Sequence, residues 1–259
     1  MTEMLAITRR NEIKDILLTQ KSITVTELSQ QFEVTEETIR RDLKLLEENG
    51  FLTRTYGGAY IEEGSVTQLE EELKQTSNLS GYQRIAKKCT QFIKNGDCIF
   101  LDSSNISISL CEQIQSMHLT VLTNSLKVIN YLCAFQNIRL VSLGGNYSPA
   151  YQCFCGRGAL TGLSNYHLDT AFLSCASLDI VHGLTDTSET TAQLRSAVLD
   201  HSKNTFLIAD STKFDRTSFH TIGSLDKVDA VITDIRLPER WKQASKDRQF
   251  QLFECCEPI

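Results

Sequence analysis

At 259 residues the chain is longer than one small domain needs, and 41% hydrophobic with 22% charged residues is ordinary for a soluble globular protein. No run of about 18 or more apolar residues is present to span a membrane, and the opening MTEMLAITRRNEIK lacks the apolar region of a signal peptide, so a cytoplasmic location is expected. The net charge of −6 excludes a generally basic nucleic-acid coat, and nine scattered cysteines argue for small buried hydrophobes in a reducing compartment rather than a disulfide framework. Cys153-x-Cys155 and Cys255-Cys256 lack a paired CxxC, and His118, His167, His182, His201 and His220 lack HxxxH spacing, so neither a metal nor a cofactor is expected.

Residues 5–20 read as a first helix with Ile13, Ile16 and Leu17 as its apolar stripe. Thr24 and Glu27 have capping-box spacing for a second helix running to Phe32, with Thr26 as a rival cap and Leu28 and Phe32 as the apolar pair. Glu33 and Val34 leave only a tight connection before TEETIRRDLKLLEE, Thr35 to Glu48. There Ile39, Leu43 and Leu46 recur at i, i+4 and i+7, a stripe about 100° wide that faces a core. Arg41 falls nearly opposite, with Glu37 and Lys44 beside it and Thr38 and Arg40 on the flanks. Thr35 is the expected N-cap, Glu36 and Glu37 suit the positive end of the helix dipole, and Asn49-Gly50 ends the helix. Phe51 to Gly58 alternates as a strand carrying Arg54 and ends on a glycine pair, the makings of a β-wing. Two helices meeting across a tight turn and followed by a wing predict a winged helix-turn-helix, its second helix for recognition.

VTELSQQFEVTEETIRRDLKLLEENGFLTRTYGGA, Val25 to Ala59, resembles the DNA-binding signature of the DeoR family of bacterial transcriptional regulators. The resemblance implies operator contacts by Thr35, Thr38, Arg40 and Arg41, with Arg54 in the wing on the phosphate backbone. With the outward-facing Glu37 and Lys44, the candidate DNA contacts are Thr35, Glu37, Thr38, Arg40, Arg41, Lys44 and Arg54. Residues 1–60 hold eight Lys and Arg against ten Asp and Glu, a net of −2, and four of the eight are Arg40, Arg41, Lys44 and Arg54. Binding to one site on double-stranded DNA should therefore be modest and salt-sensitive, so a homo-oligomer, dimer or tetramer, on repeated half-sites is expected.

The expected domains are 1–60, a winged helix-turn-helix; 61–80, a polar linker rich in Glu; and 81–259, an effector-sensing domain. From about Gly81 short apolar strands alternate with helices, predicting a Rossmann-like, largely parallel α/β domain. The strands are expected at 98–101, 119–122, 138–143, 171–174, 205–209 and 230–233, and helices at 82–93, 106–115, 125–135 and 188–202. Polar loops follow four strands: Asp102-Ser103-Ser104-Asn105, Thr123-Asn124-Ser125, Gly144-Gly145-Asn146 and Asp210-Ser211-Thr212-Lys213. Ligands of open α/β sheets bind outside the carboxyl ends of the strands, so these loops are expected to form one pocket in which hydroxyls and helix N-termini suit a phosphate and Lys213 adds a charge. Turn and cap chemistry favours the same residue types.

GDCIFLDSSN, VLTNS, SLGGNY, DTAFLSCASLD, GLTD, IADSTKFDR and VITD resemble, in order, the sensor domain of DeoR-family regulators, which is similar in fold to ribose-phosphate isomerases and implies binding of a phosphorylated sugar or related metabolite. Two departures stand out. Asp102-Ser103-Ser104-Asn105-Ile106 replaces the family's Asp-x-Gly-Thr-Thr, and Ala176 stands where Gly-x-Asp-Gly-Ile-Asp has its middle carboxylate. The candidate effector residues are Asp102, Ser103, Ser104, Asn105, Thr123, Asn124, Ser125, Gly144, Gly145, Asp179 and Lys213. The expected function is a repressor of a carbohydrate-metabolism operon; the alternative is a sugar-phosphate isomerase-like enzyme fused to a DNA-binding module. Proton transfer needs a positioned base, and Ala176 removes the obvious one, leaving Asp102, Asp179 and Asp210.

Overall fold

The computed structural model describes residues 9–10, 12–13, 16–17, 22–48, 52–55, 57–60 and 79–256. The chain divides into two compact units, Met1–Ser77 and Asn78–Ile259. Asn49-Gly50, Phe51 and residues 61–78 of the expected linker lie outside the described residues.

In the first unit, β1 (Ser22–Thr24) runs into α1 (Val25–Gln31), followed by α2 (Glu36–Glu48), β2 (Thr53–Arg54) and β3 (Gly58–Tyr60). Thr24 builds the full capping box: its hydroxyl accepts from Glu27 N at 3.2 Å while the Glu27 carboxylate takes Thr24 N at 2.9 Å. The rival Thr26 instead donates its hydroxyl to Glu36 Oε1 at 3.1 Å. Ile13, Leu17, Leu28, Ile39, Leu43 and Leu46 make the core, with Ile23 and Ala59 packed on it from β1 and β3. The wing is a three-stranded antiparallel sheet in the order β1-β3-β2. Gly58 does not break a strand as expected but starts β3, where an added Cβ would sit 2.2 Å from the Ile23 carbonyl. Only glycine allows β3 so close to β1.

The second unit opens with α3 (Leu79–Cys89) and centres on seven parallel strands: β4 (Cys98–Leu101), β5 (Leu119–Thr123), β6 (Ile138–Ser142), β9 (Leu168–Leu173), β12 (Ser202–Ile208), β14 (Ala230–Thr233) and β15 (Gln251–Glu254). Their order is β15-β14-β12-β9-β4-β5-β6. Side chains alternate across the sheet and feed two cores. Ile99, Leu101, Val121 and Ile208 pack under α3, α4 (Asn105–Ile114) and α5 (Leu126–Leu132). Phe100, Leu122, Leu173 and Leu207 pack under α6 (Arg157–Leu163), α7 (Glu189–His201) and α8 (Glu239–Arg248), where Trp241 is fully buried. Helices on both faces make the sheet Rossmann-like.

The chain lays down β4, β5 and β6 outward, then returns to place β9 on the other side of β4 and continues through β12, β14 and β15. The switch point lies between β4 and β9, where successive connections diverge and open a crevice. Two smaller units sit beside the sheet: a hairpin of β7 (Asn146–Ser148) and β8 (Cys153–Cys155), and an antiparallel sheet of β10 (Ser177–Asp179), β11 (Gly183–Asp186) and β13 (His220–Gly223). The six expected strands all form, with β9 and β12 starting earlier than expected, at Leu168 and Ser202. Strand β15, both smaller units, α6 and α8 were not expected. Five of the nine cysteines, Cys89, Cys111, Cys153, Cys155 and Cys175, are buried thiols.

Candidate functional site

Helix α2 presents the first candidate surface. Ile39, Leu43 and Leu46 are at most 3% exposed, so the opposite face is turned to solvent. Thr35 caps the helix, its hydroxyl accepting from Thr38 N at 3.3 Å and meeting the Thr38 hydroxyl at 2.9 Å. Each arginine on this surface has a glutamate partner. Arg40 pairs with Glu36 at 3.0 Å and Arg41 with Glu37 at 3.4 Å, one turn apart, while Arg54 Nε meets Glu47 Oε2 at 2.7 Å and its backbone N–H donates to Glu47 Oε1. Lys44 is exposed on the same helix. Such exposed pairs contribute little and are screened by salt, so phosphate can displace them. Asp42 faces inward and holds Arg9 at 2.7 Å, which ties α2 to the segment before β1.

The second candidate surface is the switch-point crevice, organised by Asp102. Its Oδ1 accepts from Ser104 N at 3.0 Å and the Ser107 hydroxyl at 2.9 Å; its Oδ2 accepts from Ser174 N at 2.8 Å, the Ser174 hydroxyl at 2.6 Å and Arg195 Nη2 at 3.0 Å. Burial alone would raise this carboxyl, but the Arg195 charge and the bonds from Ser174 and Ser104 outweigh it and hold Asp102 below the ordinary aspartate value. With Asp102 2% exposed and its lone pairs taken, it orders the loop after β4 rather than offering an acceptor to a ligand. Arg195 was not among the expected residues. Its Nη1 meets Asp186 Oδ2, and its Nη2 also donates to the Ser174 hydroxyl at 2.9 Å. The signal was in the sequence: Arg195 shares the buried stripe of α7 with Ala192, Val198 and Leu199, where an apolar residue belongs.

The other candidates divide into supports and lining. Ser104 caps α4 and Ser125 caps α5 through Ser107 N and Val128 N, at 3.2 and 3.3 Å. The fully buried Thr123 donates its hydroxyl to Leu101 O at 2.6 Å, tying the end of β5 to β4. Asn124 donates to Phe154 O at 3.0 Å, and its buried Oδ1 has no partner among the described residues. Ser103 and Asn105 are partly exposed, and burial pushes the Cys153 thiol up to about 11. Gly144 has open space around it, whereas Gly145, at φ +125°, lies against Cys155 O, which a Cβ would approach to 2.5 Å.

Asp179 staples the β10–β11 turn: its Oδ1 accepts from Val181 N, His182 N and the His182 ring at 2.8 to 2.9 Å. Lys213 closes a turn onto Asp210 O and accepts Leu178 N at 2.8 Å through its carbonyl. No partner for its ammonium occurs among the described residues. Burial pushes the Cys175 thiol up to about 12 against the opposing charges of Arg195 and Lys213.

Residues 9–64 match the DeoR-like helix-turn-helix domain and residues 77–235 the DeoR C terminal sensor domain. The HTH-type transcriptional regulator YulB of Bacillus subtilis is 36% identical, with 96% of each chain covered. The glycerol-3-phosphate regulon repressor of Escherichia coli is 29% identical over 95% of this chain and 98% of its own, and the L-fucose operon activator of the same species is 31% identical over 88% and 95%. Among solved structures, ribose 5-phosphate isomerase A from Methanocaldococcus jannaschii aligns over 53% of this chain and 55% of its own at a TM-score of 0.40 and 14% identity, too distant to bear on function. A buried apolar stripe behind an exposed Arg40-Arg41 surface, followed by a parallel sheet with a polar switch point, is the arrangement these matches span, and the chain belongs to the DeoR family of DNA-binding transcriptional regulators.

Proposed function

We propose that the protein is a cytoplasmic repressor of a carbohydrate-metabolism operon, acting as a dimer or tetramer on repeated half-sites and controlled by a phosphorylated sugar in the switch-point crevice. The observation that carries the DNA-binding half is the solvent face of α2, with exposed Arg41 opposite the buried Ile39, Leu43 and Leu46, and exposed Arg40 and half-buried Thr38 on its flanks. In this reading Thr35, Glu37 and Lys44 border the base contacts, and Arg54 reaches phosphate after exchanging Glu47 for it. Supporting the effector class, relatives are named for glycerol-3-phosphate and L-fucose control. Within the crevice, Ser103, Asn105, the first-turn amides of α4, Gly144 and the Lys213 ammonium are the groups left for a polar anion, while the unpartnered Asn124 Oδ1 can accept only from a donor such as a sugar hydroxyl.

An isomerase would need a free base at this edge. Ala176 supplies none, Asp102 and Asp179 are engaged by the fold, and the buried Asp210 accepts from Thr212 N and the Thr212 hydroxyl through Oδ1. No enzymatic role is therefore assigned. The test is a thermal-shift screen with ribose 5-phosphate, glucose 6-phosphate, fructose 1-phosphate and glycerol 3-phosphate, in parallel with turnover assays on the same compounds. A ligand at about 100 times its Kd should stabilise the protein by about 2.7 kcal/mol. Binding without turnover is expected; turnover would overturn the regulator reading of the crevice.

A further inference from the structure

Past Leu101 and Phe172, which are still paired in register, β4 and β9 lead into connections that diverge, and side chains tie these connections together. Three segments meet there: Asp102 after β4, Ser174 after β9, and Asp186 at the end of β11. Arg195 touches all three. Its side chain is 11% exposed, and those of Asp102 and Asp186 are 3% and 2% exposed. Asp186 in turn accepts Ser188 N at 3.0 Å, which sets the cap of α7, the helix that carries Arg195.

We propose that Arg195 is the positioning residue of the effector crevice, clamping the β10–β11–β13 sheet to the loop after β4 so that Ser103 and Asn105 are held in one arrangement. The inference rests on the crevice being the effector site. A planar guanidinium bridges two carboxylates with two separate nitrogens, which an ammonium on a flexible stem does not reproduce. The buried Nε has no acceptor among the described residues, so the group is oriented by the two carboxylates at the expense of its own last donor. A buried network of this kind moves as a unit. Displacing Asp102 by pressure from a ligand on its loop shifts Arg195, and with it Asp186 and the small sheet.

The experiment compares full-length wild type with Arg195→Lys by amide hydrogen exchange and by titration with ribose 5-phosphate, glucose 6-phosphate, fructose 1-phosphate and glycerol 3-phosphate. Exchange should rise about tenfold or more in residues 102–106, 174–176 and 186–188 together, with β5 and β6 unchanged. The midpoint for any probe that stabilises wild type should rise about tenfold, and affinity for DNA without probe should stay within about twofold. Unchanged exchange in these three segments, or a uniform rise across the whole unit, would overturn the proposal. Should Arg195→Lys fail to fold, Asp186→Asn removes one side of the clamp, and the same three segments must loosen or the proposal fails. If no probe stabilises wild type, the assigned ligand class falls, while the exchange pattern still decides the role of Arg195.

Discussion

Asp102 and Arg195 lie 93 residues apart and meet at 3.0 Å at the switch point, where the order of strand addition reverses. Asp186, on the other side of the guanidinium, completes a buried triad of one cation and two carboxylates. Arg195→Met would strand both carboxylates in the crevice. A loss of about 3–5 kcal/mol is expected for breaking such a network from one side, read by urea denaturation of the full chain. A loss below about 1 kcal/mol would show that the carboxylates relax into water.

The same triad sets an acid limit. Asp102 is held below its ordinary value of 3.8, so it binds fewer protons folded than unfolded, and its contribution is fully present above the unfolded value. That contribution is lost as pH falls below 3.8 through the lower folded value. Between pH 6 and 8 the contribution is constant, so this group adds no slope to stability there. Asp102→Asn should flatten the acid limb of a stability-against-pH curve and leave the neutral slope alone; an unaltered acid limb contradicts the assignment.

Adjacent glycines in the loop after β6 should respond differently. Gly145→Ala must place a Cβ 2.5 Å from Cys155 O at a φ of +125°, and a cost of about 1–3 kcal/mol is expected. Gly144→Ala meets nothing within 4 Å and should change stability by less than about 0.5 kcal/mol. Thermal denaturation of the two variants, side by side, checks the loop geometry directly.

Lys213→Ala tests the anion reading of the crevice. If its ammonium meets the effector, a charge-assisted contact worth about 1.5–3 kcal/mol disappears and the effector midpoint rises about tenfold or more. Binding to DNA without effector should be unchanged. If Lys213 serves only its turn onto Asp210, the midpoint stays where it was.

Much of this architecture was legible because period and capping chemistry are local. The Thr24–Glu27 box, the Ile39-Leu43-Leu46 stripe and six of the seven strands in the central sheet follow from spacing alone. Strand β15, Gln251–Glu254, escaped because QLFE carries a polar residue at each end and takes its place by pairing parallel to β14. The small sheet escaped because Ser177–Asp179 and Gly183–Asp186 are too short to show a period. In the crevice, loop composition pointed to the right strand ends but could not separate groups that hold the loops, Asp102, Thr123 and Ser125, from those left open. Arg195 shows the same gap from the other side: a helix charge on an apolar stripe acquires meaning only when its carboxylates, 93 and 9 residues away, are seen.

The most direct test of the central claim is a gel-shift titration of wild type and Arg41→Ala on a DNA site selected by the wild-type protein from random sequence, with a scrambled site as control. Arg41 is 78% exposed at its side chain, so its removal should leave fold and assembly intact, by circular dichroism and sedimentation. A base contact by arginine contributes about 1–3 kcal/mol of discrimination, so affinity for the selected site should fall about five- to 150-fold with little change on the scrambled one. Arg54→Ala, run beside it, should weaken both sites alike and lower the salt slope by about one. Equal affinity of wild type and Arg41→Ala for the selected site would contradict the assignment of α2 as the recognition helix.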